Sequence, residues 1–193
     1  MRPRLTLVAV LVAGVLPVAG CSDSEPPVNL ASATPSARSQ SYEFPRAGMT
    51  LSLPRNLQVT RLPRLPAVFR ASLTQPFAAG FAYRRAEQLP RNRRELQAAR
   101  RRLVATTKRR DRGYRLERSR ATEVDGARAV ELLGTQTLGR TRLRIRSLHV
   151  YRGRAEYVIE VAAPVRQFDR FDRVVTPLVK RTLDVTGRVA RRN

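Results

Sequence analysis

Hydrophobic and polar residues alternate along much of the chain after residue 42, which is typical of β-strands with one buried face. Residues 49–53 and 57–62 both alternate, and Pro54, Arg55 and Asn56 form a turn between them. We therefore expect these two strands to form a hairpin. Two more short strands are predicted at 68–73 and 80–85, the second with Phe81 and Tyr83 on one face.

Four longer strands follow at regular spacing, at residues 113–124, 127–138, 141–151 and 154–162. The pair Asp125-Gly126 is a strong signal for a two-residue hairpin turn between the first two. The third strand changes phase, because Leu143 and Ile145 are odd-numbered whereas Leu148 and Val150 are even-numbered. One extra residue would restore the facing of the side chains, so we predict a β-bulge near residues 146–147.

Two segments have helical periodicity. Residues 92–110 contain no glycine or proline, and Asn92 with Glu95 forms a possible capping box at their start. Arg100 interrupts the apolar face of this helix and would have to extend its charged end to water. Residues 169–186 form a second apolar stripe, which Asp169 could cap, and Pro177 predicts either a kink or a restart of the helix.

This order of elements predicts an α+β fold, in which a mainly antiparallel sheet of about six strands packs against two helices in two or three layers. We place this single domain at residues 42–187 and expect a disordered tail at 188–193. Residues 22–41 are rich in serine, alanine and proline, and we interpret them as a flexible tether.

The N-terminus has the layout of an export signal. Arg2 and Arg4 precede an apolar run at 5–18, and Ala19-Gly20 leads directly into Cys21, the only cysteine. This pattern resembles the lipobox of bacterial lipoproteins, which implies a signal peptide at 1–20 and a lipidated tether at 21–41. The alternative is that Cys21 ends a transmembrane helix, although the apolar run is shorter than the roughly 20 residues that a span needs.

Three stretches carry a family resemblance: residues 48–54 at the first strand, 124–129 at the first turn of the four-strand unit, and 154–162 before the last helix. Over residues 44–185 the chain resembles PsbP-like domains, a group that includes DcrB-like and LpqN-like bacterial lipoproteins. The resemblance implies a non-catalytic domain that binds a partner or assists an assembly, and it transfers no site residues.

The chain is strongly basic, with 38 lysine and arginine residues against 15 acidic ones and a net charge of +23. Nearly all of the basic residues are arginine, as a GC-rich genome would produce without any function. The functional alternative is attraction to anionic lipid, an acidic envelope polymer or a protein partner. Export to the extracytoplasmic face of the cell membrane argues against nucleic acid as the partner.

Two rows of cations are candidates for binding an anionic surface. On the first helix the basic residues stack at i, i+7 and i+14 with two flanking positions, and on the third long strand they share one face. These candidate residues are Arg94, Arg101, Arg102, Lys108, Arg109, Arg142, Arg144 and Arg146. The alternative is an ordinary solvated surface.

Catalytic chemistry has little support in the sequence. His149 is the only histidine, so we expect neither a metal site nor a cofactor. Glu156 and Glu160 share a strand face but lie about 13 Å apart along the strand, too far for the usual glycosidase pair. We expect these carboxylates and Glu131 to form salt bridges with arginine. A carrier of lipid or glycan in a groove between sheet and helix is the main alternative, and a hydrolase would require Glu131, Glu156 and Glu160 to converge.

Overall fold

The computed structural model describes residues 34–190, in which two long helices pack against strands of two sheets. The helices are α1 (Arg93–Arg110) and α2 (Val165–Thr182), and a short 3-10 helix covers Pro45–Ala47. The strands are β1 (Ser39–Phe44), β2 (Met49–Pro54), β3 (Gln58–Arg61), β4 (Ala67–Ser72), β5 (Phe77–Arg84), β6 (Arg115–Val124), β7 (Ala127–Leu138), β8 (Thr141–Arg152), β9 (Ala155–Pro164) and β10 (Asp184–Val185).

Seven strands form the larger sheet, in the order β3-β4-β5-β9-β8-β7-β6, and β1-β2-β10 form the smaller one. Every pair is antiparallel. Helix α2 packs on β2, β8 and β9, whereas α1 packs on β6 and β7. The predicted α+β class is confirmed, with three layers and more strands than expected.

The four-strand unit forms as predicted, with β6 to β9 joined by tight turns. Asp125 and Gly126 have φ values of 49° and 67°, which is the left-handed backbone that a type I′ hairpin turn requires. The two-residue turn therefore sets the register of β6 and β7.

The predicted bulge at residues 146–147 is wrong, because the pairing of β8 with β7 and β9 is continuous. The phase change has another cause. Both faces of this sheet are covered, so odd-numbered Ile145 faces α1 while even-numbered Leu148 and Val150 enter the core beneath α2. A register shift occurs instead in β6, between Leu116 and Arg118.

The predicted hairpin of residues 49–53 with 57–62 is also wrong. Strand β2 pairs with β1 and β10, whereas β3 pairs with β4 in the larger sheet. The turn after Pro54 carries the chain from one sheet to the other, and Leu57 is buried at that corner. Alternation identified both strands but could not identify their partners.

Helix α1 begins as predicted, with the Asn92 side chain accepting a hydrogen bond from the Glu95 N–H at 2.9 Å. Arg100 is half-buried, and its guanidinium donates to the Ser119 carbonyl on β6 at 3.1 Å. Helix α2 begins at Val165, four residues before the predicted cap, and continues through Pro177 without a restart.

The ends of the domain extend further than the sequence suggested. Strand β1 starts at Ser39, before the predicted boundary at 42, and β10 pairs with β2 beside it. In the expected tail, the Ala190 N–H donates to the Arg46 carbonyl at 2.9 Å. Cys21, the signal segment and most of the tether lie outside the described residues. Within residues 34–190, neither helix has the length and hydropathy of a membrane span.

The two helices are held by apolar clusters of very different size. The main core lies between the larger sheet, β2 and α2, and it contains Phe69, Tyr157, Phe168 and Phe171. Burying each large apolar side chain stabilises the fold by about 1.5–3 kcal/mol. Under α1, the only fully buried members of the cluster are Leu96, Val130 and Leu132.

Candidate binding groove

An open groove of about 560 Å³ lies between α1 and the part of the larger sheet that α1 leaves uncovered. Its floor is formed by β8 and β9, one wall by β5, and the other wall by the C-terminal half of α1 and the loop that follows. Side chains alternate along a strand, so only one set from each strand faces this space. The groove is on the sheet face opposite to α2.

The floor combines polar and apolar groups. Glu160 and Val158 of β9 lie directly across from Ser147 and His149 of β8 in the strand register. On the β5 wall the Phe81 and Tyr83 rings stack, with centroids 6.4 Å apart. Tyr114 lines the opposite wall, and burial raises its pKa to about 12, so its hydroxyl remains protonated.

Glu156 is bonded to two neighbours. The Nδ1 atom of His149 lies 2.8 Å from its carboxylate, and the Arg85 Nε donates to it at 2.6 Å. Burial alone would raise the pKa of Glu156, but the hydrogen bonds and charges of His149 and Arg85 lower it. The Arg85 guanidinium also lies 5.0 Å above the centre of the Tyr83 ring. The expected arginine salt bridge is therefore confirmed for Glu156.

Glu160 differs, since it forms no hydrogen bond or ion pair with another residue of the 34–190 segment. Burial raises its pKa, and the charges of His149 and Arg110 only partly oppose this. Its direct cross-strand neighbours are small, Ala79 on β5 and Ser147 on β8. These small side chains leave space above the Glu160 carboxylate, whose oxygens can accept hydrogen bonds from a ligand.

Glu131 is on the opposite face of the sheet. There it forms ion pairs with Arg120, Arg146 and Lys180. Its salt bridges are confirmed, but it cannot meet Glu156 and Glu160 because the sheet lies between them. The convergence of three carboxylates that a hydrolase would require is absent.

The strand row of cations is largely used inside the domain. Arg144 pairs with Glu117 at 2.7 Å and with Asp169 at 3.0 Å. Arg146 binds Asp172 at 2.8 Å as well as Glu131. Arg142 is exposed, and its only hydrogen bond to the described residues is a 3.5 Å contact with a threonine hydroxyl. These pairings hold α2 against β8.

The helix row forms no ion pairs inside the described part of the domain, and its one hydrogen bond there joins Arg109 to the Thr106 hydroxyl at 3.4 Å. All five of its cations are exposed. We call this set the α1 ridge; it consists of Arg94, Arg101, Arg102, Lys108 and Arg109. None of these five residues lines the groove, so the exposed basic surface of α1 is separate from the side of the helix that forms the groove wall.

No protein-family model matches this chain, and no curated protein matches its sequence. Solved structures do match. The solution structure of the cyanobacterial PsbP (CyanoP) from Synechocystis sp. PCC 6803 is 12% identical, with 77% of this chain and 93% of that one covered and a TM-score of 0.56. The crystal structure of LpqN from Mycobacterium tuberculosis, described as involved in cell envelope biogenesis, is 14% identical, with 77% and 91% covered and a TM-score of 0.55.

These similarities establish the fold. The chain is an α+β domain with the PsbP-like architecture, as its resemblance to that group implied. At such low identity the fold is what is shared, and function must be argued from the groove and the charged surfaces.

Proposed function

We propose that this protein is a lipid-anchored protein of the cell envelope whose PsbP-like domain binds a ligand without catalysing a reaction. The sequence around Cys21 supports the anchor. A diacylglyceryl group supplies two acyl chains, and stable membrane attachment needs two such signals. The LpqN structure, described as involved in envelope biogenesis, has the same fold and is consistent with this setting.

The groove between α1 and the sheet is the observation that carries the binding function. It is concave, and its lining combines aromatic and aliphatic side chains with several polar and charged groups that could orient a ligand. Strands form its floor and one wall, and α1 with the loop after it forms the other wall.

The state of its ionisable groups favours binding over catalysis. The one histidine of the chain is bonded to Glu156, which Arg85 also holds. A general base must lie within hydrogen-bond distance of the substrate proton that it removes. Both carboxylate oxygens of Glu156 are already bonded, one to Arg85 and one to His149. Glu160 forms no hydrogen bond to another described residue, but about 13 Å of strand separates it from Glu156, which is too far for a catalytic pair of carboxylates.

A groove-filling variant tests the binding function. Thr107 lines the groove from α1, whereas Ala105 is exposed on the same helix. We would titrate mixtures of small aromatic, amine and sugar fragments into the wild-type protein, Thr107→Phe and the control Ala105→Phe, and record amide shifts by NMR. Binders should shift amides on β8 and β9 in the wild type and in Ala105→Phe but not in Thr107→Phe. Absence of any groove shift in the wild type would refute the function.

The anchor has its own test. Cys21→Ala should move the protein from the membrane fraction to the soluble fraction and leave the circular dichroism of the domain unchanged. Continued membrane retention of this variant would contradict lipidation at Cys21.

The α1 ridge supports a second candidate, docking of the domain on anionic lipid. Each arginine near a charged membrane contributes about 1 kcal/mol, and salt weakens the effect. Charge reversal at Arg94, Arg101 and Arg102 should weaken co-sedimentation with phosphatidylglycerol vesicles at least tenfold at low salt. A matched control makes the same change at Arg55, Arg64 and Arg154. An equal loss in both variants would show that only net charge matters.

A further inference from the structure

The groove differs in charge from the rest of the protein. Its lining contains the carboxylates of Asp111, Glu156 and Glu160 and the guanidinium groups of Arg85 and Arg110. Carboxylates therefore outnumber guanidinium groups in this lining, whereas the whole chain carries +23. Such a local excess of carboxylates in so basic a protein indicates complementarity to a cation.

Two of these carboxylates have unused acceptors. Glu160 receives no hydrogen bond from any described residue. Asp111 accepts from the Gly113 N–H at 2.8 Å through Oδ1, but its Oδ2 is buried without a partner in the described segment. Buried acceptors are normally satisfied, yet the described residues supply no donors to the buried Oδ2 atom of Asp111 or to the half-buried Glu160. A ligand that carries N–H donors would supply them.

Aromatic rings line both walls of the groove that contains Glu160. Phe81 lies directly across from Val158, which places it diagonally beside Glu160 at about 7 Å between backbone positions. Tyr83 already holds a guanidinium over its face, and Tyr114 lines the facing wall. Aromatic faces attract cations and also bury the apolar part of a ligand. Arg110 is exposed at the rim and does not bond to Glu160.

We propose that this groove binds a small organic ammonium ion, whose N–H groups are donated to Glu160 and whose apolar part packs between Phe81 and Tyr114. This inference rests on the proposed binding function and specifies its ligand class. A neutral sugar would leave the charge of Glu160 unmatched, and an anionic lipid would be repelled by it. The α1 ridge, on the other side of the helix, would remain available for a membrane.

The test uses a matched pair of probes, 2-phenylethylamine and 2-phenylethanol, which differ only in the charged group. The full chain with Cys21→Ser, which lacks the lipid acceptor, is titrated by calorimetry and by NMR. The amine should bind at least tenfold more tightly than the alcohol and should shift amides of Ser147 and Val158. Glu160→Gln should remove this preference, whereas the exposed control Glu123→Gln should retain it.

Each other outcome has a distinct meaning. Equal binding of both probes, or tighter binding of maltose than of the amine, would overturn the ammonium inference while leaving the groove as a binding site. Amine binding that survives Glu160→Gln would show that the recognising carboxylate is wrong. Absence of any fragment or probe in the wild-type groove would remove the proposed function as well. If Glu160→Gln fails to fold, the two probes still decide the question on the parent protein.

Discussion

Glu131 is the buried charge on which the stability of the domain should depend most strongly. Its side chain is 2% exposed and lies on the α2 face of β7 among Arg120, Arg146 and Lys180. Burial would raise the pKa of its carboxyl group. Hydrogen bonds from Lys180 and Arg120, with the charges of Lys180 and Arg146, instead lower it to about 2. Lys180 is on α2, so this pair also joins the helix to the sheet.

The lowered pKa of Glu131 gives the size of its contribution to the folding free energy and the way that contribution changes with pH. A fall from the ordinary value of 4.5 to about 2 corresponds to about 3 kcal/mol of folding free energy. Because the folded pKa is the lower one, this contribution is complete above pH 4.5 and is lost as the pH falls towards 2. Glu131→Gln should therefore destabilise the domain by about 3 kcal/mol at pH 7, since three cations lose their shared partner.

Urea unfolding followed by circular dichroism at pH 7, 5 and 3 measures this effect. The difference between wild type and Glu131→Gln should be largest at pH 7 and clearly smaller at pH 3. The exposed Glu123→Gln should change stability by less than about 0.5 kcal/mol at each pH. A Glu131→Gln difference that is near zero at pH 7, or that does not change with pH, would refute the assignment.

Three further substitutions test local packing by the same unfolding assay. Asn92→Ala should cost about 1 kcal/mol, because it removes the side-chain cap of α1. Gly80→Ala should cost about 1–3 kcal/mol, since its new Cβ would lie 2.2 Å from the Phe69 ring. Tyr157→Phe should cost about 1 kcal/mol, because the Gly187 N–H loses its acceptor at 3.1 Å. A cost below 0.3 kcal/mol in any of them would show that the corresponding contact is not formed as described.

The regular part of the fold was predictable because its signals are local. Turn residues such as Asp125-Gly126 set the pairing of neighbouring strands, and Asn92 marked the start of α1. Strand pairs between distant segments could not be derived in this way. Strand β10 has two residues, too few for any period, and it pairs with β2 about 135 residues earlier.

The groove could be predicted only in part. The period of β9 placed Glu156 and Glu160 on one face, and that of β5 did the same for Phe81 and Tyr83. Whether these two faces line one groove depends on the pairing of β5 with β9 and on the position of α1 over the sheet, and neither can be derived from the sequence period. The same limit explains why the ion pairs of Arg144 and Arg146 were not predicted. Nothing near these arginines in sequence shows that α2 brings Asp169 and Asp172 to them.

The unequal clusters beneath the two helices have a consequence for motion. Regions with few buried apolar contacts open at a lower free energy than the global unfolding of a domain. Only three residues of the cluster beneath α1 are buried, Leu96, Val130 and Leu132, so we expect α1 to open at a lower free energy than α2, which packs on the much larger core. Because α1 forms one wall of the groove, such an opening would widen access to Glu160 without disturbing the core beneath α2.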